Sequence, residues 1–402
     1  MLEYDEALAR VLAATPAPTT ESVSLNDAPG RVLAEPIRSP IDLPVFDNSS
    51  MDGYAVRAAD LASANPVSPA RLRLGGKVAA GQIFPGEVGP GTCVRLFTGS
   101  PLPPGANAVV MQEDTRFDAK APGEVLVLTP VQPGENVRPR GEDIRQGSPL
   151  AEAGEVLNAG RIGLLAAAGV AQVRVGRRPV AGVLATGSEL TEPGQSLAPG
   201  RIYESNRIPL SALVVGAGAV SRTLPVVADV LEGTAQALKD AFCQCDAVVT
   251  SGGVSVGEMD FLKQAFEQIG GRLDFWKIAV KPGRPFVFGH YGTKRLFGLP
   301  GNPVSAFVTF LLLVRPALLR WQGATDVSLP AHPGVLAEPL ANPGERRHFM
   351  RVKVDSVGKV HSTGQQASHV LGSLAAANGL VDVPAGATLA AGSAVTVLRW
   401  GF

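Results

Sequence analysis

Cysteine is scarce in this chain: three in 402 residues, Cys93, Cys243 and Cys245, too few for a disulfide framework. Cys243 and Cys245 form a C-x-C without a second pair, and the five histidines (His290, His332, His348, His361, His369) show no ligand spacing, so no zinc site is expected. Excess charge of either sign is also missing, with 36 Lys+Arg against 36 Asp+Glu. That argues against coating nucleic acid or an anionic membrane by bulk electrostatics, while leaving room for a local basic pocket. Long hydrophobic runs are absent too. The most apolar stretch, Val304–Val314, contains Ser305 and Thr309 and ends at Arg315-Pro316, short of the ~20 residues that a membrane span needs. The N-terminal MLEYDEALARVLAAT carries acidic residues and no apolar h-region, so it does not read as a secretory signal. A cytoplasmic protein with no nucleic-acid or membrane partner is expected.

What is present is an ordinary apolar share of 45% together with 46 Gly and 33 Pro spread along the chain. These read as many tight turns around a sizeable core. At roughly 100–200 residues per domain the length predicts two to four domains. Residues 2–14 predict a short amphipathic helix with Tyr4, Leu8, Val11 and Leu12 on one face. From about 46 to 142, short apolar runs (Leu72–Leu74, Cys93–Phe97, Ala108–Met111, Val125–Leu128) alternate with Gly/Pro turns, the spacing of a small β domain. Residues 158–168 predict a helix capped by Asn158 and stopped by Gly169, followed by a strand over 170–175.

From 179 the pattern becomes strand, loop, helix, repeated. Apolar strands at Pro179–Ala185, Ala247–Thr250 and Arg295–Leu299 run into Thr186-Gly187-Ser188-Glu189, Ser251-Gly252-Gly253 and Pro300-Gly301-Asn302-Pro303. Helices are predicted over Asp260–Ile269 and from Asn302, with Asn302 as cap and Pro303 at the first helical position. This alternation indicates a parallel sheet covered on both faces. Residues 330–402 return to short alternating runs, a small β-barrel or sandwich.

Ligands of such sheets bind beyond the carboxyl ends of the strands, where all three small-residue loops fall. The loop SGGVSVGEMD (251–260) resembles a phosphate cradle, with Ser251 and Ser255 as donors. In DFWKIAVKPGRPFVFG (274–289), an extended chain would point Lys277 and Lys281 the same way, with Arg284 across a Pro-Gly turn. A solvated strand face would explain them, but the flanking Phe275, Trp276, Ile278, Val280 and Phe286 predict burial. Neighbouring buried ammonium groups favour an oxyanion between them. Glu189, Asp229, Glu258 and Asp260 lie close to these loops in sequence. They suit Mg²⁺ beside a phosphate; equally, Asp260 and Asp229 could cap helices. Two further runs, DNSSMDGYAV (47–56) and RPRGEDIRQG (138–147), read either as function or as turns closed by local hydrogen bonds and ion pairs.

Taken together these stretches resemble the molybdopterin molybdenumtransferases, the molybdenum insertase family that includes the gephyrin E domain. The resemblance is carried in order by Asn48-Ser49-Ser50-Met51-Asp52-Gly53-Tyr54-Ala55, Phe97-Thr98-Gly99, Gly141-Glu142-Asp143, Thr186-Gly187-Ser188-Glu189-Leu190, Ser251-Gly252-Gly253-Val254-Ser255 with Asp260, Lys277 to Pro285, and Leu299-Pro300-Gly301-Asn302-Pro303.

The resemblance implies an α/β multidomain chain: a central three-layer α/β domain with a parallel-type sheet, small β-rich N-terminal domains and a C-terminal β-barrel. Its divisions would be a discontinuous linking domain (24–45 and 143–178), a β-rich inserted domain (46–142), a molybdopterin-binding α/β domain (1–23 and 179–325) and the barrel (326–402). It implies insertion of molybdenum from molybdate into adenylylated molybdopterin with release of AMP, in a homodimer using Mg²⁺. Further partners would be the upstream molybdopterin adenylyltransferase and acceptor molybdoenzymes. The competing activities are the adenylyltransferase step itself and a non-catalytic scaffold. Catalytic positions carried over are Asp52, Asp143, Glu189, Asp229, Asp260, Lys277 and Lys281, with Asp260 and Glu189 toward the metal. Substrate positions are Thr98, Arg138, Ser251, Gly252, Gly253, Ser255, Arg284, Pro300, Pro303, Ser305, Arg346 and Ser368. Arg347 or Arg351 could take the place of Arg346. Ser188 stands where Asp is common in this motif, which leaves Glu189 to carry any metal role there. The residues do not decide between molybdenum and tungsten.

Overall fold

The computed structural model describes residues 1–117, 121–254 and 261–400. Two compact units result: Pro36–Glu152 with Asn158–Gln172, and Met1–Glu35 with Ala153–Leu157 and Val173–Phe402.

In the smaller unit the predicted apolar runs form one six-stranded sheet, in the order Ala108–Met111, Gly53–Val56, Thr92–Leu96, Ala70–Val78, Glu124–Val127, Thr115–Phe117. Tyr54, Leu72, Cys93, Val110 and Val125 pack in its core, so Cys93 is a packing residue whose thiol burial pushes up to about 12. Gly53 is required by close approach, since a Cβ there would sit 2.0 Å from the Val110 carbonyl oxygen. The helix Ala159–Ala167 is capped as expected, the Asn158 Oδ1 accepting the Arg161 amide at 2.9 Å.

In the larger unit, Val220–Val227, Val180–Thr186, Ala247–Ser251, Lys294–Leu299, Val287–Tyr291 and Arg272–Trp276 lie side by side in that order. The first four run parallel, and Val287–Tyr291 runs antiparallel to both its neighbours, Lys294–Leu299 and Arg272–Trp276. Alternate residues serve opposite faces, as the period of two requires. Val183, Val249, Phe297 and Leu299 pack with the helices Tyr4–Ala14, Arg207–Gly216 and the long helix from Pro303. Leu184, Val248, Leu296 and Val287 pack with Leu231–Gln244 and Leu262–Gln268. This is the expected three-layer arrangement.

Three expectations need correction. The segment 274–289 is not one extended strand. It is two antiparallel strands joined by 277–286, and Lys277 turns the chain with φ 71°. The alternation that placed Lys277 and Lys281 on one face therefore fails. Second, the apolar stretch expected to end short of a membrane span at Arg315-Pro316 lies in a helix that runs on past them. A π-turn over Phe310–Val314, in which the Arg315 amide reaches back to the Phe310 carbonyl, carries it on to Trp321. The widened turn absorbs a proline that has no N–H to donate. The resulting Pro303–Trp321 helix is 19 residues long and apolar enough to span a bilayer, but 83% of its most apolar stretch is buried by the rest of the chain, as in a core helix. Third, Asn302 occupies the cap position without a side-chain cap bond.

The C-terminal strands close into a barrel. Arg347–Val354 pairs with Lys359–Ser362 and with Gly379–Val383, Lys359–Ser362 with Ala331–Leu336, Ala331–Leu336 with Ala394–Arg399, and Ala394–Arg399 with Gly379–Val383. Val280–Lys281 adds in parallel to Arg347–His348, which ties the lysine-bearing segment to the barrel.

Candidate active site

The three central parallel strands end together, with Ala185 opposite Ser251 and Ser251 opposite Leu299. Their loops are thereby stacked at one sheet end, as the sequence predicts. Gly252 makes this stacking possible: its φ is +92° and a Cβ would lie 2.5 Å from the Thr186 carbonyl oxygen. Its amide is spent on the Leu299 carbonyl at 3.1 Å, so that N–H serves the fold. Asn206, at the start of the Arg207–Gly216 helix, joins two of the loops. Its Nδ2 donates to Ser251 Oγ at 2.6 Å and to the Gly301 carbonyl at 2.7 Å.

Two cavities flank the 300–303 loop. The first, about 550 Å³, is lined by Lys281, Pro282, Gly283, Arg284, Pro285, Pro300, Asn302, Ser305, Arg346 and Gln366–Ser368. It thus gathers six of the sequence-predicted residues: Lys281, Arg284, Pro300, Ser305, Arg346 and Ser368. Among the described residues three cationic side chains line it and no acidic one does. Arg346 donates from Nη1 to the Val280 carbonyl at 2.9 Å; burial, then the like charge of Arg284, holds its pKa below the usual arginine range. Of the three arginines considered, only Arg346 is among the residues that line this cavity. Arg347 is turned onto Asp5 and Asp382, at 2.7 and 2.6 Å, Arg351 is wholly buried, and Arg346 faces the cavity.

The second cavity, about 580 Å³, brings together Glu189, Ser251 and Pro303 with Thr186, Tyr203, Glu204, Asn206 and His369. Thr186 opens one of the strand-end loops read from the sequence; the last four were not proposed as site residues from it. The Thr186 Oγ1 and Asn206 Oδ1 are buried without a partner, polar atoms available to a ligand. Asp229 does not cap the helix Leu231–Gln244, whose cap position is Val230. Instead its carboxylate accepts the Ser188 amide at 3.0 Å while Ser188 Oγ accepts the Asp229 amide at 3.0 Å. This brace fixes the turn that presents Glu189.

Lys277 is half-buried, with its Nζ 3.8 Å from the centre of the Trp276 ring, and lines neither cavity. Ser255 and Asp260, with Glu258, lie outside the described residues. In the smaller unit Asp52 Oδ1 accepts both the amide and the hydroxyl of Thr98, each at 2.8 Å. Those bonds, the amide first, hold its carboxyl below the usual range. Arg138 sits opposite Asn48 in a two-residue pairing. Asp143 is exposed, its amide bound to the Leu43 carbonyl at 3.0 Å.

His348, opposite Lys281 in the strand pairing, is 2% exposed with both ring nitrogens unpartnered. Burial, then the charges of Lys281, Arg351 and Arg346, push its pKa down to about 4. The fold therefore holds it neutral. Because the folded value lies below the unfolded value, near 6.5, stability is full above about pH 6.5, falls as pH drops toward 4 and levels off below. The loss is on the order of 3 kcal/mol. Denaturant titrations between pH 7 and 4 should show a flatter acid limb for His348→Asn; equal limbs would contradict this.

An α/β core with small-residue loops, a carboxylate and a cationic cavity at its strand ends has the lining that anionic ligands require. The comparisons are more specific. Residues 2–169 match the MoeA N-terminal region (domain I and II), 182–320 a probable molybdopterin binding domain, and 333–400 the MoeA C-terminal region (domain IV). The molybdopterin molybdenumtransferase of Haemophilus influenzae is 38% identical over 94% of this chain and 93% of its own length. That of Bacillus subtilis is 37% identical over 96% and 90%. The crystal structure of the molybdopterin biosynthesis moeA protein of Pyrococcus horikoshii OT3 covers all of both chains with a TM-score of 0.85 at 32% identity. The chain belongs to the molybdopterin molybdenumtransferase family.

Proposed function

We propose that this protein inserts molybdenum from molybdate into adenylylated molybdopterin, forming molybdenum cofactor and releasing AMP. The observation that carries the reading is the cavity lined by Lys281, Arg284 and Arg346, with no carboxylate among the described residues that line it. A tetrahedral dianion is what such a lining suits: the lysine acts as a point charge and the guanidinium groups as forked donors. The neighbouring cavity, with Ser251, Asn206 and Glu189, would take the pterin phosphate and nucleotide side. Holding both ligands on either side of one loop converts a meeting of separate solutes into a positioned reaction. Developing negative charge is stabilised by fixed cations that need no reorganisation.

Mg²⁺ suits the donor chemistry on the nucleotide side, since it takes one or two carboxylates with the rest of its shell from phosphate and water. Glu189 and Asp260 would hold it, with Asp229 fixing the Glu189 turn, and it would supply charge neutralisation on the phosphoanhydride. Asp52, Thr98, Arg138 and Asp143 would complete the site within a homodimer. Lys277 retains its proposed role through the family position. The upstream adenylyltransferase and acceptor molybdoenzymes are the proposed partners, in the cytoplasm.

The test is a defined incubation. Purified protein with adenylylated molybdopterin, Mg²⁺ and molybdate should release AMP in a molybdate-dependent way, and Asp260→Ala should abolish that release. If molybdopterin and ATP without molybdate instead yield adenylylated pterin, the adenylyltransferase reading takes its place. Unaltered AMP release from Asp260→Ala would remove that residue from catalysis.

A further inference from the structure

Arg351 is the largest fully buried side chain of the described residues, at 0% exposure, and sits on the barrel strand Arg347–Val354. No carboxylate among the described residues pairs with it. Its Nε donates to Ser373 Oγ at 2.8 Å, and its Nη2 to the carbonyls of Gln365 at 2.9 Å and Ala367 at 3.2 Å. Its Nη1 has no partner. Its backbone grips the same segment from the other side. The Arg351 amide donates to Gln366 Oε1 at 2.9 Å, and its carbonyl accepts Gln366 Nε2 at 3.0 Å and Thr363 Oγ1 at 3.2 Å. Thr363 in turn bonds Ser373 at 2.9 Å.

A buried cation without a counter-ion is costly, and an apolar residue of similar volume is usually the more stable choice. Its presence here calls for a return, and the gripped segment supplies one. Gln366, Ala367 and Ser368 line the cationic cavity, His369 lines the neighbouring one, and the Ser368 carbonyl accepts the Val304 amide at 3.2 Å, seating the segment on the start of the core helix. We propose that Arg351 is a positioning residue, a buried guanidinium that fixes 363–369 as the wall shared by both cavities and so sets oxyanion affinity without touching the oxyanion. The oxyanion clause rests on the function proposed above; the grip on the segment does not.

The full-length chain is compared with Arg351→Met, which keeps the volume and removes the donors. Molybdate titrated by calorimetry should bind at least about tenfold more weakly, the loss of one or two charge-assisted bonds' worth of positioning. The KM for molybdate should rise while kcat stays within about twofold, the pattern of lost ligand binding. Arg351→Lys, which can reach one carbonyl, should recover part of the affinity. Limited proteolysis should cut 363–368 faster in Arg351→Met. If that variant does not fold, Ser373→Ala, which removes the Nε acceptor without changing charge, serves in its place. Molybdate affinity equal to wild type in every folded variant overturns the inference. If the wild-type chain itself binds no molybdate, the proposed function falls. Cleavage then decides this inference alone: faster cutting in Arg351→Met supports the clamp, and unchanged cutting sinks it.

Discussion

Lys281→Ala is expected to raise the molybdate concentration for half-maximal AMP release by about ten- to a hundredfold, because a hydrogen bond to a charged group contributes about 1.5–3 kcal/mol and each 1.4 kcal/mol is tenfold. Lys281 is half-buried and lines a cavity whose other charges among the described residues, Arg284 and Arg346, are also positive. The free protein should gain slightly from the change, since Lys281 shares the cavity with Arg284 and Arg346 and like charges crowd one another less without it. Opposite signs in the two assays are the signature of a site that spends stability on anion binding. Thermal melts without ligand should therefore show Lys281→Ala at or above wild type, while added molybdate stabilises the wild type more. A variant that melts lower and keeps its molybdate requirement would make Lys281 a structural lysine and remove it from the site. Arg346→Ala should behave alike in binding. It should lose some stability, because its Nη1 also holds the Val280 carbonyl.

Much of this arrangement is legible from the residues. The three-layer core follows from apolar runs of strand length alternating with helical spacing, and the loops at the strand ends follow from the topology of a parallel sheet. The cationic cavity was half visible, because Lys281 and Arg284 are near each other in sequence and share one loop. What sequence spacing could not give is long-range closure. Asn206 was not singled out from the sequence, yet its side chain spans to Ser251 and Gly301, 45 and 95 residues away. The Lys277 and Lys281 pairing failed for a local reason, a left-handed residue inside what reads as a strand. Asp229 resembles a cap until the fold brings Ser188 to it. At Asn206 and Asp229 a short polar residue has a local use and a tertiary one, and only the second depends on the chain returning from far away.

The largest loss on the other side of the loop is expected from Gly252→Ala. Two costs coincide there. The φ of +92° is one that L side chains rarely adopt, and the added Cβ would lie 2.5 Å from the Thr186 carbonyl oxygen. The strain alone costs about 1–3 kcal/mol. The contact is with backbone, so it is relieved only by moving the 251–254 turn or the end of the Val180–Thr186 strand. Either movement displaces Ser251, which Asn206 ties to Gly301, and so alters the cavity that holds Glu189. A misplacement of roughly 1 Å at reacting groups can cost about a hundredfold in rate, and cofactor formation should fall by that order. Molybdate binding at the cationic cavity, measured by calorimetry, should stay within about threefold, since none of its three cations lies on the disturbed turn. Gly194→Ala is the control. Its φ is +91°, but nothing lies within 4 Å of the added Cβ, so it carries the strain without the collision. It should lose a comparable increment of stability and keep its activity. Equal activity losses in the two variants would assign the effect to backbone strain alone and dissolve the link between the 252 turn and the site.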